Sequence, residues 1–449
     1  MGLHRLSNID AKTINCQGKR KGLKKIFWLS FLAKSYLIVA LGLTFSVSSE
    51  GQSYSQIIFD KQQSQYFGSC NLISLHNVLY SFEDKYIRDT LFNENNFIKK
   101  TAGIGYRIAK LLLLDAQADG LMALSQHEVF GHGARYREFG YKGNSFNLNL
   151  YPPFGNGSGF AQRGSLRTGY STPTEQESIA INIGGVEGEM LLANNITSQI
   201  LLDDTLNYRE GLLYIITQNN LSGYLWSTRY AKPGYIKPGN DMNNYINGIN
   251  YLYPHPPGRV YDIKKLSNQS LVSFANPFQI YAAFSIFWTY GIKGQKQLTK
   301  IPMIKFGSVR YLPAFNYSLT PFGSQYHFIN YVRCKKILLI GDFSLGDKSF
   351  NDFYGISVKG FNIMNARRII LNFHLDVWNQ PGLELEKYFQ SNAVNKIGES
   401  FKIDIMLRPF NRQNNPGIFF QAGYKTKGYV MGEPLAKSFI LRYGISMHL

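Results

Sequence analysis

Ser438-Phe-Ile-Leu-Arg-Tyr-Gly-Ile-Ser-Met-His-Leu449 decides the fold class of the second half of the chain. In an extended strand successive side chains point to opposite faces. Phe439, Leu441, Tyr443, Ile445, Met447 and Leu449 therefore share one face, and Arg442, Gly444, Ser446 and His448 the other. The same period of two appears upstream. Ile369, Leu371, Phe373, Leu375 and Val377 alternate with Asn372, His374 and Asp376, and Phe401, Ile403, Ile405 and Leu407 alternate with Lys402, Asp404 and Arg408. Segments of this kind fall near 304–319, 325–333, 336–345, 353–363, 368–378, 400–410, 417–430 and 437–449. Residues 301–449 are accordingly predicted to form an antiparallel sheet, with an eight-stranded barrel as the expected form.

Before residue 301 the period is helical. Ile104, Ile108, Leu111, Leu112 and Ala116 recur at helical spacing, as do Leu121, Leu124 and Glu128, so one or two long helices are predicted over 102–140. Residues 141–173, rich in Gly, Asn, Ser and Pro, read as a surface loop. A helix is predicted from about Thr174 to Gln199, with Glu177 three residues after Thr174 in the capping-box arrangement. Its middle carries Gly184, Gly185 and Gly188, each costing about 1 kcal/mol against Ala in a helix. Such glycines make sense where something packs very closely against the helix backbone. Asn276 and Pro277 read as the cap and first residue of a short aromatic helix. The chain as a whole is thus read as α+β: a leader over 1–50, a helical half over 51–300 and the sheet over 301–449.

The composition is 44% hydrophobic and 15% aromatic with only 17% charged residues, which excludes a disordered chain. The net charge of +19 is scattered, and no nucleic-acid-binding motif accompanies it, so no nucleic-acid partner is expected. The densest basic cluster, Lys19 to Lys25, precedes the apolar run Ile26 to Ser46 and then Ser46-Val-Ser-Ser-Glu-Gly-Gln-Ser53. Basic, apolar, small is the order of a secretory signal. Lys34 interrupts the apolar run, which leaves an uncleaved anchor as the alternative. Cys70 and Cys334 can pair in an oxidising compartment, though their spacing does not demand it. Alternating strands with aromatic ends, running to the chain terminus behind such a leader, resemble a small outer-membrane β-barrel. That family commonly ends in Phe, where this chain has Leu449. The resemblance implies the outer membrane or periplasm of a Gram-negative bacterium, with membrane lipid as a neighbour. A soluble antiparallel sheet packed on the helical half shares the alternation.

The chemistry is concentrated in Gln126-His-Glu-Val-Phe-Gly-His-Gly133. A His-Glu pair with a second His shortly after offers two imidazoles to a zinc ion and a carboxylate beside it. His127 and His132 are five residues apart, which on an ideal α-helix separates them by about 140°. Both reach one ion only if the helix takes in an extra residue as a π-bulge, and Gly131 is the residue best able to permit it.

The longer spacing resembles the His-Glu-x-x-Gly-His motif of the dipeptidyl peptidase III family of zinc peptidases. The resemblance implies His127 and His132 as zinc ligands and Glu128 as the catalytic base. A third ligand is implied on a later helix: Glu187, 55 residues beyond His132, with Glu189 as the fallback. The match covers the motif and that spacing only, and the family's second motif is not reproduced around Val186 to Ala193. In this reading three protein ligands leave an open position for water, whose proton Glu128 takes. Arg135 and Arg137 can stabilise an oxyanion or simply pair with Glu138, and Asp115 and Asp119 can orient the His rings. The expectation is a zinc-dependent hydrolase, a metallopeptidase acting on peptide or protein. The rival readings are a non-catalytic outer-membrane barrel with a helical plug, and a structural zinc site closed by a fourth protein ligand.

Overall fold

Along the C-terminal strands the alternation separates two environments of opposite kind. Leu441 is 69% exposed while its neighbour Arg442 is 2% exposed. Phe401, Ile405, Ile418, Phe420, Tyr443 and Ile445 are exposed with Leu441, whereas Ser400, Lys402, Gln421, Lys425 and Ser446 are buried with Arg442. The sheet turns its polar side chains inward. The charges there are paired or hydrogen-bonded, and Lys425 Nζ donates to the carbonyls of Thr426 and Gly428. Lys402 Nζ lies 2.7 Å from Glu433, and Arg442 reaches Glu433 at 2.7 Å and Asp60 at 3.0 Å.

The computed structural model describes residues 55–87, 96–166, 172–231, 239–253, 260–347, 352–366, 368–383, 385, 394–409 and 416–447. The leader read over 1–50 lies outside the described residues. The sheet has ten antiparallel strands. Eight form a meander: β9 (Val309–Thr320), β10 (Gly323–Cys334), β11 (Ile337–Gly346), β12 (Tyr354–Ala366), β13 (Ile369–Pro381), β14 (Asn395–Leu407), β15 (Gly417–Lys425) and β16 (Ser438–Met447). These match the eight segments read from the sequence, except that the first divides at Gly307, whose φ of +60° turns the chain between β8 (Ile304–Phe306) and β9. The tenth strand, β1 (Ser55–Phe59), pairs with β16 from Ser55 opposite Met447 to Phe59 opposite Tyr443. It comes from the half read as helical, so the sheet draws on both halves of the chain. The expected closed barrel is not formed. The order runs from β1 to β8, and these two outer strands do not pair with each other.

The helices begin with α1 (Gln65–Tyr86), capped by the Ser64 hydroxyl accepting from Phe67 N. A helical rod follows from Phe97 to Glu138, made of α2 (Phe97–Lys110), a π segment (Leu111–Asp115), α3 (Ala116–Leu124), a second π segment (Ser125–His132) and α4 (Gly133–Glu138). Residues 141–166, read as loop, contain two small hairpins, of which β3 (Ser145–Leu148) with β4 (Gly159–Gln162) is the larger. Next comes α5 (Glu175–Asp203), opened by the Thr174–Glu177 capping box read from the sequence. Its Met190, Leu191 and Asn194 lie over the polar face of the sheet, lining with His327, Asp342 and Lys359 a cavity of about 130 Å³. Then follow α6 (Tyr208–Tyr230), α7 (Asp241–Leu252), α8 (Ile263–Ser270) and α9 (Pro277–Ala283), which continues as a third π segment (Phe284–Ile292). Asn276 caps α9 with Pro277 in its first turn, as its sequence indicates.

A buried ion network ties α1, α2, α3 and α6 together. Lys110 Nζ is 3.0 Å from Asp115, and Arg209 is 2.7 Å from Asp119. Lys110 also contacts Glu83, and Arg209 reaches the same carboxylate. Asp115 and Asp119 are thus partners of Lys110 and Arg209, with His76 beside Asp119 at 3.5 Å. Cys70 and Cys334 are both free. Among the described residues no helix is long and apolar enough to cross a membrane by itself.

Candidate metal centre

The His-Glu-x-x-x-His stretch coincides with the second π segment, Ser125–His132. Gly133 N donates to Glu128 O, an i to i+5 bond that widens the turn by one residue. Five residues therefore bring His132 back over His127 instead of away from it, and the ring centroids lie 5.0 Å apart. Gly131 allows this. A Cβ on it would stand 2.6 Å from both Gly184 O and Gly185 Cα on α5. A Cβ on Gly185 would fall on the His127 ring, and one on Gly188 would stand 3.0 Å from Gln126 O. The three glycines of α5 are the face on which the π segment rests.

Each imidazole is held by its Nδ1. His127 Nδ1 is 3.0 Å from Glu189 Oε2, and His132 Nδ1 is 2.7 Å from Ile181 O. A carbonyl can only accept, so His132 carries a proton on Nδ1, which leaves Nε2 as the atom that can meet a metal ion. This is the outer support usual for metal-binding histidines. The two Nε2 atoms face Asp241, the first residue of α7, whose Oδ2 is 3.3 Å from His132 Nε2 and 4.0 Å from His127 Nε2. One atom from each of the three residues lies within 4.8 Å of the others. Ligands of a tetrahedral ion with bonds near 2.0–2.1 Å sit about 3.3 Å apart, so this group can hold a metal ion with small adjustments. The Tyr224 hydroxyl accepts from Asp241 N at 3.1 Å and lies 3.3 Å from Asp241 Oδ2, fixing the carboxylate at the start of its helix.

Glu187 stands elsewhere. Its carboxylate accepts from Arg135 Nη2 at 2.7 and 2.8 Å, from Gly432 N at 3.0 Å and from Gln65 Nε2 at 3.0 Å. Two residues along an α-helix turn it by about 200°, so Glu187 and Glu189 occupy opposite sides of α5. Glu189 supports a histidine and Glu187 locks α5 to α4 and to the loop before β16. Arg135 also pairs with Glu138 at 2.7 Å, and Arg137 donates to the carbonyls of Gln63 and Val129, which leaves neither facing the metal group. Asp241 is the site residue that motif reading passes over. It lies in Gly239-Asn-Asp-Met-Asn-Asn-Tyr245, which reads as a capped helix start, and its cap by Asn240 is indeed formed.

Glu128 is 6% exposed and lines a polar cavity of about 970 Å³ together with His127, His132, Asp241, Asn182 and Asn220. Gly159 of β4 comes so close that a Cβ there would strike the Glu128 carboxyl. Burial raises the Glu128 carboxyl above its ordinary range, against the pull of His127 and His132. Burial alone would depress both imidazoles, but Glu189 overrides it at His127 and Asp241 at His132, so both are raised. Asp241 is resisted by burial yet held below the usual carboxylate range by His132 and His127. The site combines two imidazoles and a carboxylate around one point with a second carboxyl whose raised affinity suits proton transfer. Among the described residues no fourth His, Cys, Asp or Glu joins the group, so its cavity side stays open. No protein family, curated protein or solved structure matches the chain.

Proposed function

We propose that this chain is a zinc-dependent hydrolase of the bacterial envelope whose substrates are peptide bonds. The observation that carries the reading is the convergence of His127 Nε2, His132 Nε2 and Asp241 Oδ2 at the edge of a cavity that also holds the buried carboxyl of Glu128. Two imidazoles and one carboxylate are a common zinc set in hydrolases, with an open position left for chemistry. When bound, the ion supplies Lewis acidity, polarising a carbonyl and acidifying water towards a pKa of about 7. The rest falls to the chain. Glu128, whose carboxyl is pushed towards working pH by burial, takes a proton and returns it to the leaving amine. Glu189, which also accepts from the Asn220 amide, and Ile181 O keep the two rings aimed, and Asn182 lines the cavity beside them.

The test is Glu128→Gln on purified full-length protein. One metal ion per chain should remain while peptide hydrolysis falls by about 10²–10⁴-fold, the usual worth of a general base. A folded wild-type chain that holds no stoichiometric metal, or a Glu128→Gln variant of unchanged rate, overturns the reading. A second reading, a non-catalytic membrane sheet plugged by the helices, is favoured by the way α5 covers the polar face of the sheet. It expects no hydrolysis from the wild type at all.

A further inference from the structure

The sheet stops at β1 on one side and β8 on the other, and a chain of contacts through three helical elements leads from β1 to the residues just before β8. Helix α1 follows β1 directly and packs on it, with the Ser74 hydroxyl donating to Gln56 O at 2.7 Å. Helix α2 joins α1 through the Lys110–Glu83 contact. Arg107 Nε of α2 donates to Gly291 O at 3.0 Å, bringing in the π segment that continues α9. The far side of α9 approaches the other sheet edge: the Tyr281 hydroxyl donates to Pro302 O, just before β8, at 3.0 Å, while Phe278 packs inward on Tyr331 of β10 at 5.6 Å, ring centroid to centroid.

Each of these elements exposes an apolar stripe on its outer side. On α1 the stripe is Leu75, Val78, Leu79 and Phe82, at i, i+3, i+4 and i+7. The first π segment exposes Leu112, Leu113 and Leu114 in succession. On α9 and its extension the exposed residues are Ile280, Phe284, Phe287 and Trp288. Beneath them lie the buried charges of Glu83, Lys110, Asp115 and Arg209. Helices α1 and α2 thus repeat the polarity of the sheet, apolar outside and charged within, while α9 turns Phe278 and Ala282 into the core. Lys85 follows the α1 stripe and Lys293 the α9 stripe, so cations mark stripe ends.

We propose that α1, α2 with its π segment and α9 with its π segment complete, with the outer face of the sheet, a single wall that faces lipid hydrocarbon. A protein partner of ordinary size covers about 800 Å² on one side of a molecule. Here exposed apolar side chains line the outer face of the sheet and each helix in that chain of contacts, and a bilayer meets all of them at once. The strand length agrees. Strands β12, β13 and β14 have 13 residues each. At about 3.3 Å per residue and a tilt near 45° such a strand spans about 30 Å, the thickness of a hydrocarbon core. No single helix needs to be apolar all round, because each offers the bilayer one face only.

The full chain is reconstituted in phosphatidylcholine vesicles with brominated acyl chains, which quench only tryptophans that touch them. One variant keeps Trp288 alone (Trp28→Phe, Trp226→Phe, Trp378→Phe), another keeps the inward Trp378 alone, and a third carries Leu441→Trp in a tryptophan-free background. The expected result is loss of most emission from Trp288 and from the tryptophan at position 441, with Trp378 unaffected. Quenching at position 441 without quenching of Trp288 overturns the proposal, since the sheet would then meet lipid without the helices. Vesicles that retain no protein overturn it too, as does shielding of both positions by a second copy of the chain. If the replacements prevent folding, a nitroxide on Leu113→Cys, with the native cysteines changed to serine, gives the same reading. Accessibility to oxygen with protection from a water-soluble nickel complex is then the expected result, and the reverse overturns the proposal.

Discussion

Gly131→Ala tests whether the metal centre depends on contact between two backbones. The added Cβ would stand 2.6 Å from Gly184 O and from Gly185 Cα, where ordinary contact begins at 3.4 Å. Both obstacles are main chain, so no side chain can swing aside, and α5 must retreat from the π segment by about 1 Å. Overpacking of this kind costs about 1–3 kcal/mol. Against that, Ala is better than Gly in a helix interior by about 1 kcal/mol. The net expectation is destabilisation by roughly 0–2 kcal/mol, a fall of up to a few degrees in Tm. Metal binding should suffer more than the fold. Glu189, whose carboxylate holds His127, rides on the helix that moves, and metal sites tolerate distance errors of only about 0.2 Å. The control is Gly223→Ala on α6, where an added Cβ meets nothing within 4 Å. There the helix-propensity gain should stand alone, and stability should hold or rise. Thermal unfolding and metal content of both variants decide the matter. A Gly131→Ala protein that melts no lower than the wild type and binds the same metal would refute the close-approach argument.

The two carboxylates of the sequence reading and the one supplied by the structure separate cleanly by mutation. Asp241→Asn should abolish stoichiometric metal, whereas Glu189→Gln should weaken it by about 10–100-fold, the usual cost of losing an outer partner; metal titrations followed by calorimetry give both values. Glu187→Gln should keep its metal but lose about 3 kcal/mol of stability, because Arg135 is left buried with part of its charge unanswered. Denaturant unfolding measures it, and loss of metal with no loss of stability would restore Glu187 as a ligand. Chelation should have an effect that depends on pH. In the metal-free site both imidazoles are raised, so the native state holds more protons than the unfolded one above about pH 6.5, and this stabilisation is lost as pH rises through the raised values. Metal binding needs both rings deprotonated, so the gap in Tm between loaded and chelated protein should widen from about pH 6 to pH 8. A gap that stays constant across that range would count against imidazole ligation.

Legibility in the sequence followed the range of the interaction. The Thr174–Glu177 capping box and the Asn276–Pro277 start are decided within four residues, and they form as their sequences indicate. The π-bulge at Gly131 was readable for a similar reason: five-residue spacing leaves a helix no other way to aim His127 and His132 together. Asp241 was not readable. It lies more than a hundred residues beyond His132, in a segment whose Asn240 cap looks like that of any helix. Nor could Glu187 and Glu189 be told apart, because the choice is the rotation of α5 about its axis, which Arg135 and the glycine face settle in three dimensions.

The sheet makes the same point at larger scale. Period two in Phe439 to Met447 shows that two faces differ, but it is identical whether the apolar row faces a core or leaves it. What fixes the direction is what the polar row can pair with. Arg442 turns inward because Glu433 and Asp60 wait there, one from the loop before its own strand and the other from the turn after β1. That second partner directly follows a strand of only five residues, which pairs with β16 across almost the whole chain. So short a segment carries too little pattern to be read as a strand by itself. Yet it sets the edge at which the strands stop and α1 takes over. A polarity turned inside out in the sheet recurs between α1 and α2, with Asp60 and Glu433 answering Arg442 in the sheet as Glu83 answers Lys110 between the helices.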